Sequence, residues 1–176
     1  MTMTPFIRKF MLIVHITTSV SWLGAVACFL ALAIVGLTNQ DTHIVRAVYL
    51  SMDLIVWYII VPLSFASLLS GLVQSFGTQW GLFRHYWVLV KFLLTILATI
   101  VLLLQLEPIS YIANVAADTT FSNDDFREAR LSLVVHAAGG LFVLLVIMTI
   151  SVYKPRGVTR YGWRKQQEGL KIQSRR

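Results

Sequence analysis

Apolar residues fill four stretches of the chain, residues 10–37, 48–76, 87–106 and 131–153, with almost no charge inside them. Each holds at least the ~20 residues that cross ~30 Å of hydrocarbon at 1.5 Å per residue, so each is predicted to span a membrane. Helices are expected, because lipid offers no partner to open backbone groups and the period-2 alternation of a membrane barrel is absent. The expected fold is therefore all-α: a polytopic membrane protein with a four-transmembrane-helix bundle over residues 1–153 and a basic tail over residues 154–176. The first run is too long for a signal-peptide core of about 7–15 residues and is expected to stay in the mature protein.

The polar exceptions inside the spans carry more information than the apolar background. His15, Ser19 and Trp22 recur at i, i+4 and i+7, a stripe that should face protein rather than lipid. In the second span Ser64, Ser67, Gly71 and Gln74 share a face whose small residues let a neighbouring backbone approach, and Pro62 should kink the helix. Arg84, Lys91, Thr95 and Ala98 are placed on one face of the third span, and His136 is followed by Gly139 and Gly140 in the fourth.

Charge fixes the expected orientation. Twelve of the fifteen Lys and Arg residues fall before the first span, around residues 80–91, or in the tail, leaving Arg46, Arg127 and Arg130 for the other side. Cationic loops resist translocation, so both termini and the 80–91 junction are predicted to be cytoplasmic, in a bacterial inner membrane. The 107–130 loop, rich in acids, is then outside. Eight of the cations lie within 154–176, next to a span, where anionic lipid headgroups account for them; the bilayer is an expected partner and nucleic acid is not. Composition agrees: 57% hydrophobic and 13% charged, about half the charge of a soluble domain. The lone Cys28 excludes a disulfide framework and a cysteine metal cluster.

Candidate chemistry rests on the histidines. Histidine within a span is costly and points to function, although an interhelical hydrogen bond is the plain alternative. The rise per residue puts His15 roughly 13 Å and His85 roughly 16 Å to the cytoplasmic side of their span midpoints, and His136 roughly 9 Å to the outer side. His15 and His85 can thus approach one iron from opposite faces, while His136 would belong to a second site, with His43 or Met52 as its partner. Arg84 and Lys91 would suit haem propionates, or simply anchor the bilayer surface. Asp53 is the acid nearest a span core. No HxxxH or HxxE spacing occurs, so a bare zinc or copper ion would need ligands from separate helices.

The run His15-Ile16-Thr17-Thr18-Ser19-Val20-Ser21-Trp22-Leu23-Gly24, residues 80–91, His136-Ala137-Ala138-Gly139-Gly140 and Tyr153-Lys154-Pro155-Arg156-Gly157 carry a resemblance over nearly the whole chain. Together they resemble a bacterial four-helix integral-membrane family of unassigned function. The histidine followed by Trp-x-Gly is also similar to the first-helix pattern of the copper-resistance D membrane domain and of HemJ-type protoporphyrinogen oxidase. That similarity implies haem or copper handling, carried onto His15 alone; the copper domain's methionine-rich motifs are missing here.

These features lead to the expectation of a haem b-binding membrane protein, with one or two haems, that passes electrons between a quinone or small oxidant and a membrane redox partner. His15, His85 and His136 are the expected iron ligands, with Arg84 and Lys91 at the propionates. The chain would act as a haem-dependent membrane oxidoreductase if it turns over, and a homo-oligomer is a further expected assembly. Two other classes stay open: a copper-handling or transport protein using His15, His136 and Asp53, and a cofactor-free assembly or anchor subunit.

Overall fold

The structure, a computed structural model, describes residues 3–77, 82–117, 126–155 and 157–173. Six α-helices are present among them: α1 (Pro5–Thr38), α2 (Thr42–Ile55), α3 (Val61–Gly77), α4 (Tyr86–Ala117), α5 (Arg127–Tyr153) and α6 (Arg160–Gln173). A five-residue π-helical segment, Val56–Ile60, fuses α2 and α3 into one rod. Four rods, Pro5–Thr38, Thr42–Gly77, Tyr86–Ala117 and Arg127–Tyr153, are long and apolar enough to cross a membrane. The chain is an all-α, multi-pass membrane protein, as the apolar pattern predicts. Trp80, Gly81 and most of the acidic 107–130 loop's second half lie outside the described residues.

Local chemistry sets the ends. Pro5 opens α1, where its missing donor costs nothing. At the other end Asn39 Oδ1 accepts from the Asp41 amide at 2.8 Å, and Asp41 in turn caps α2 by accepting from the His43 amide at 2.9 Å. Lys154, left-handed at φ 44°, ends α5, and Pro155 forbids continuation. The third rod departs from expectation. It was placed at residues 87–106, yet α4 runs through Pro108 to Ala117. Proline removes one donor there, but Ile109, Ile112 and Ala116 bury an apolar stripe in the core, and that packing carries the helix on.

The π segment has a cause legible in burial. Buried positions on the second rod fall at Met52, Val56, Ile60 and Ser64, three steps of four. Twelve residues of regular α-helix overshoot whole turns by about 120°, so these residues could not share a face. The wider π turn absorbs the overshoot, just before Pro62, where an α-helical donor is already missing.

α1 packs on α3, α5 and α2, and α4 packs on α5, α2 and α3, which leaves α1 diagonal to α4. Both described ends of the chain lie at one end of this bundle, where the Met3 amide donates to Gly77 O at 3.4 Å. The dense core occupies the opposite end and the middle: Trp22, Val26, Phe29 and Ala33 of α1 meet Val45, Tyr49 and Met52 of α2, with Ile112 and Leu133. Packing thins toward the termini end, and the candidate site lies there.

Candidate functional site: a cation-lined cavity beside His15

α3 lets α1 come close because it presents serine and glycine along the contact. Ser64, Ser67 and Ser70 are buried, and Ser19 Oγ lies 2.8 Å from Ser67 Oγ across the interface. Gly71 is required by proximity: a Cβ there would stand 2.9 Å from His15 Cε1. The His15 ring thus lies against the α3 backbone, with Nδ1 3.1 Å from Ser70 Oγ. The Ser70 hydroxyl also reaches Ser67 O at 3.2 Å. When Ser70 donates there, its oxygen accepts from Nδ1–H of His15 and leaves Nε2 the lone pair of a metal ligand or a base.

His15 lines a cavity of about 1010 Å³ bounded by α1, α3, α4 and α5. That is the upper end of the range for small-molecule and cofactor sites. Its walls are mainly apolar, with Leu12, Leu23, Phe92 and Leu144 among them, and Ser19, Gln74 and Thr95 add polar points. Among the described residues four cations line it, Arg8, Lys9, Lys91 and Lys154, and no carboxylate does. Lys91 holds its ammonium 5.4 Å from the centroid of the Trp87 ring. At the inner end Trp22 is 3% exposed, and its indole Nε1 is the one buried side-chain polar atom among the described residues that lacks a partner.

The structure brings together His15 and Lys91 from the sequence-predicted set and not the rest. Arg84 precedes α4 rather than lying on it, and neither Arg84 nor His85 lines the cavity. His85 is instead drawn into an isolated antiparallel bridge with Val158 of the tail, its ring 6.3 Å from Trp87. His136 lies on an exposed face of α5, its Nδ1 2.8 Å from Ser132 O one turn back. The space beside it is open, since Cβ atoms at Gly139 and Gly140 would meet nothing within 4 Å. Met52 is sealed in the core, and His43 is exposed in the first turn of α2. Asp53 accepts from Ser110 Oγ at 2.6 Å, and Trp57 Nε1 donates to the same hydroxyl at 3.2 Å, tying α2 and the π segment to α4.

Two features escape a sequence reading. Arg130, counted only as a cation of the outer side, is 3% exposed. Its Nε donates to Tyr49 Oη at 2.9 Å, its Nη2 donates to Gly36 O, and the guanidinium lies 5.6 Å from the Tyr49 ring centroid. A signal existed: Arg130, Leu133, Ala137 and Leu144 keep helical phase and are all buried. The second is the tail. Tyr86 N donates to Gly157 O at 3.3 Å and Thr159 N donates to Arg84 O at 2.9 Å, while the Thr159 hydroxyl donates to Phe83 O. Residues 157–162 are therefore docked on the 83–86 backbone, beside the cavity's Leu82 and Trp87. Comparison of the chain with protein-family models, with curated proteins and with solved structures gives no match, so any function must be argued from this cavity's own chemistry.

Proposed function

We propose that the chain is a haem b-binding membrane protein, with haem in the cavity between α1, α3, α4 and α5 and His15 Nε2 as the iron ligand. The observation that carries the reading is the held ring of His15, its Nδ1 3.1 Å from Ser70 Oγ, on the wall of a mainly apolar cavity of about 1010 Å³. Gly71 and Ser70 hold the ring by its Nδ1 side, which leaves Nε2 for a ligand. Among the described residues no three of His, Cys, Asp and Glu converge as a bare ion would need. A macrocycle, which itself supplies four of the iron's ligands, suits a lone imidazole better than copper or zinc does. When bound, haem supplies one-electron chemistry, and a quinone or small oxidant in the bilayer is the proposed exchange partner. This reading keeps His15 and leaves His85, Arg84 and His136 outside the site, so one haem is proposed. The positive-inside count supports a cytoplasmic termini end.

The test is an absorption spectrum of the protein purified in detergent after expression with added haem. A stoichiometric Soret band in the wild type, lost in His15→Ala and retained in His136→Ala, is expected. A wild-type protein that folds and shows no Soret band overturns the reading.

A further inference from the structure

We infer that the cavity selects an amphiphile bearing an acid group, and that Lys91 is the residue that reads this group. The inference rests on the cavity used above but not on an iron–His15 bond.

Four observations converge. Among the described residues, the lining contains the cations Arg8, Lys9 and Lys91 beside Lys154 and no carboxylate, so the cavity wall is basic. Lys91 sits in the second turn of α4, roughly 7 Å along the helix from Tyr86, on the cavity wall. Its ammonium lies over the ring of Trp87, which also lines the cavity, so the charge is held against the cavity wall. The Trp87 face offers its ammonium partial compensation, and an anion entering the cavity would supply the rest.

Polarity is also graded along the cavity. Arg8 and Lys9 stand at the start of α1, and Trp22 lies about 21 Å further along the same helix. Between them no further cation of α1 lines the cavity, and Leu12, Ile16 and Val20, with Leu144 and Ile147 of α5, make the lining mainly apolar around His15 and Ser19. An occupant therefore fits with its acid group at the termini end and its apolar body inward. A porphyrin with paired propionates and a fatty acid share that chemistry, and the probes below separate them.

Binding is measured on the full-length protein in a neutral detergent, by quenching of intrinsic tryptophan fluorescence. Metal-free protoporphyrin IX is compared with its dimethyl ester, and palmitic acid with hexadecanol. A charge-assisted hydrogen bond corresponds to about tenfold or more in affinity, so the wild type should prefer at least one acid over its neutral counterpart by that factor. Lys91→Gln should abolish the preference, Lys91→Arg should retain most of it, and His15→Ala should leave it intact, because no iron is present. Preference in the porphyrin pair alone identifies a porphyrin acid as the occupant, and preference in the palmitate pair alone identifies an acyl chain; either supports the inference. Equal binding of acid and neutral probes by the wild type overturns it, as does full preference in a folded Lys91→Gln protein. A missing Soret band together with a preserved acid preference would remove the haem reading and leave this one standing.

Discussion

Replacing Gly71 by alanine places a methyl carbon 2.9 Å from His15 Cε1 and 3.4 Å from Nδ1. Carbon atoms rest at about 3.5–4.0 Å, so the imidazole must retreat by roughly 0.6 Å, since the α3 backbone behind the methyl is held by its own helix. Its Nδ1 bond to Ser70 starts at 3.1 Å, and a retreat of that size takes it to the limit of about 3.6 Å beyond which a side-chain hydrogen bond is lost. The expected stability loss is about 0.5–1.5 kcal/mol, a fall of a few degrees in melting temperature for a chain of this size. The loss at the site should be larger in proportion. A ligand imidazole that loses its orienting partner typically weakens binding about 10–100-fold, read here as haem affinity by titration of the Soret band. Gly139→Ala is the matched control: it also adds a methyl to a helix, but into open space. It should leave haem affinity unchanged and, through helix propensity, leave melting unchanged or raise it. If Gly71→Ala behaves like Gly139→Ala in both measurements, His15 does not rest on α3 as described.

Arg130→Met should cost about 2–4 kcal/mol, because the Tyr49 hydroxyl and Gly36 carbonyl are stranded in the core at about 1–3 kcal/mol each; melting in detergent measures it, and a loss below 1 kcal/mol would refute the buried role. A double-mutant cycle on Ser19→Ala and Ser67→Ala should return a coupling of about 0.6 kcal/mol, the usual size for hydroxyl pairs between membrane helices; zero coupling would deny the contact. Thr159→Val, which removes the hydroxyl bonds to the Phe83 and Arg84 carbonyls, should speed tryptic cleavage at Arg160 and Arg164 while leaving bundle melting unchanged. Gly162→Leu should do the same, since a side chain there meets Arg84 O at 2.5 Å; undisturbed cleavage in both would mean the tail is held elsewhere.

The spans and the face of α1 were legible because both depend on local period. A run of apolar residues reports hydrocarbon thickness directly, and the His15–Ser19–Trp22 stripe reports which side of one helix meets protein. The same logic misplaced the end of α4, because hydrocarbon thickness bounds a span and not a helix. Ile109 and Ile112 keep the helix going beyond Pro108 through packing that only the assembled bundle provides. The pairing of His15 with His85 rested on depth alone. Depth is one coordinate of three, and the tail captures the 84–86 backbone through a bridge of a few residues that leaves no periodic trace. The cavity was the least legible feature, since it arises where side chains from four separate elements fail to fill a volume. The burial of Arg130 went unread because a charge count gives a side of the membrane and not a depth in the bundle, whereas its phase with Leu133 and Ala137 marks it as interior.

The π segment bears on how this chain tolerates insertion and deletion. A single extra residue within a helix is what separates a π turn from an α turn, so Val56–Ile60 behaves as a one-residue insertion retained in a transmembrane rod. Deleting one residue there would restore a plain α-helix, and the remaining steps, about 1,100° at about 100° each, would still bring Met52 and Ser64 close to one face. Deleting a residue between Pro62 and Ser67 instead, where no wider turn absorbs the change, would turn everything after it by about 100° and swing Ser67, Ser70 and Gly71 away from α1 with no contact residue altered in type. The first deletion should leave the His15 wall assembled and the second should take it apart, which makes register, rather than composition, the quantity this rod depends on.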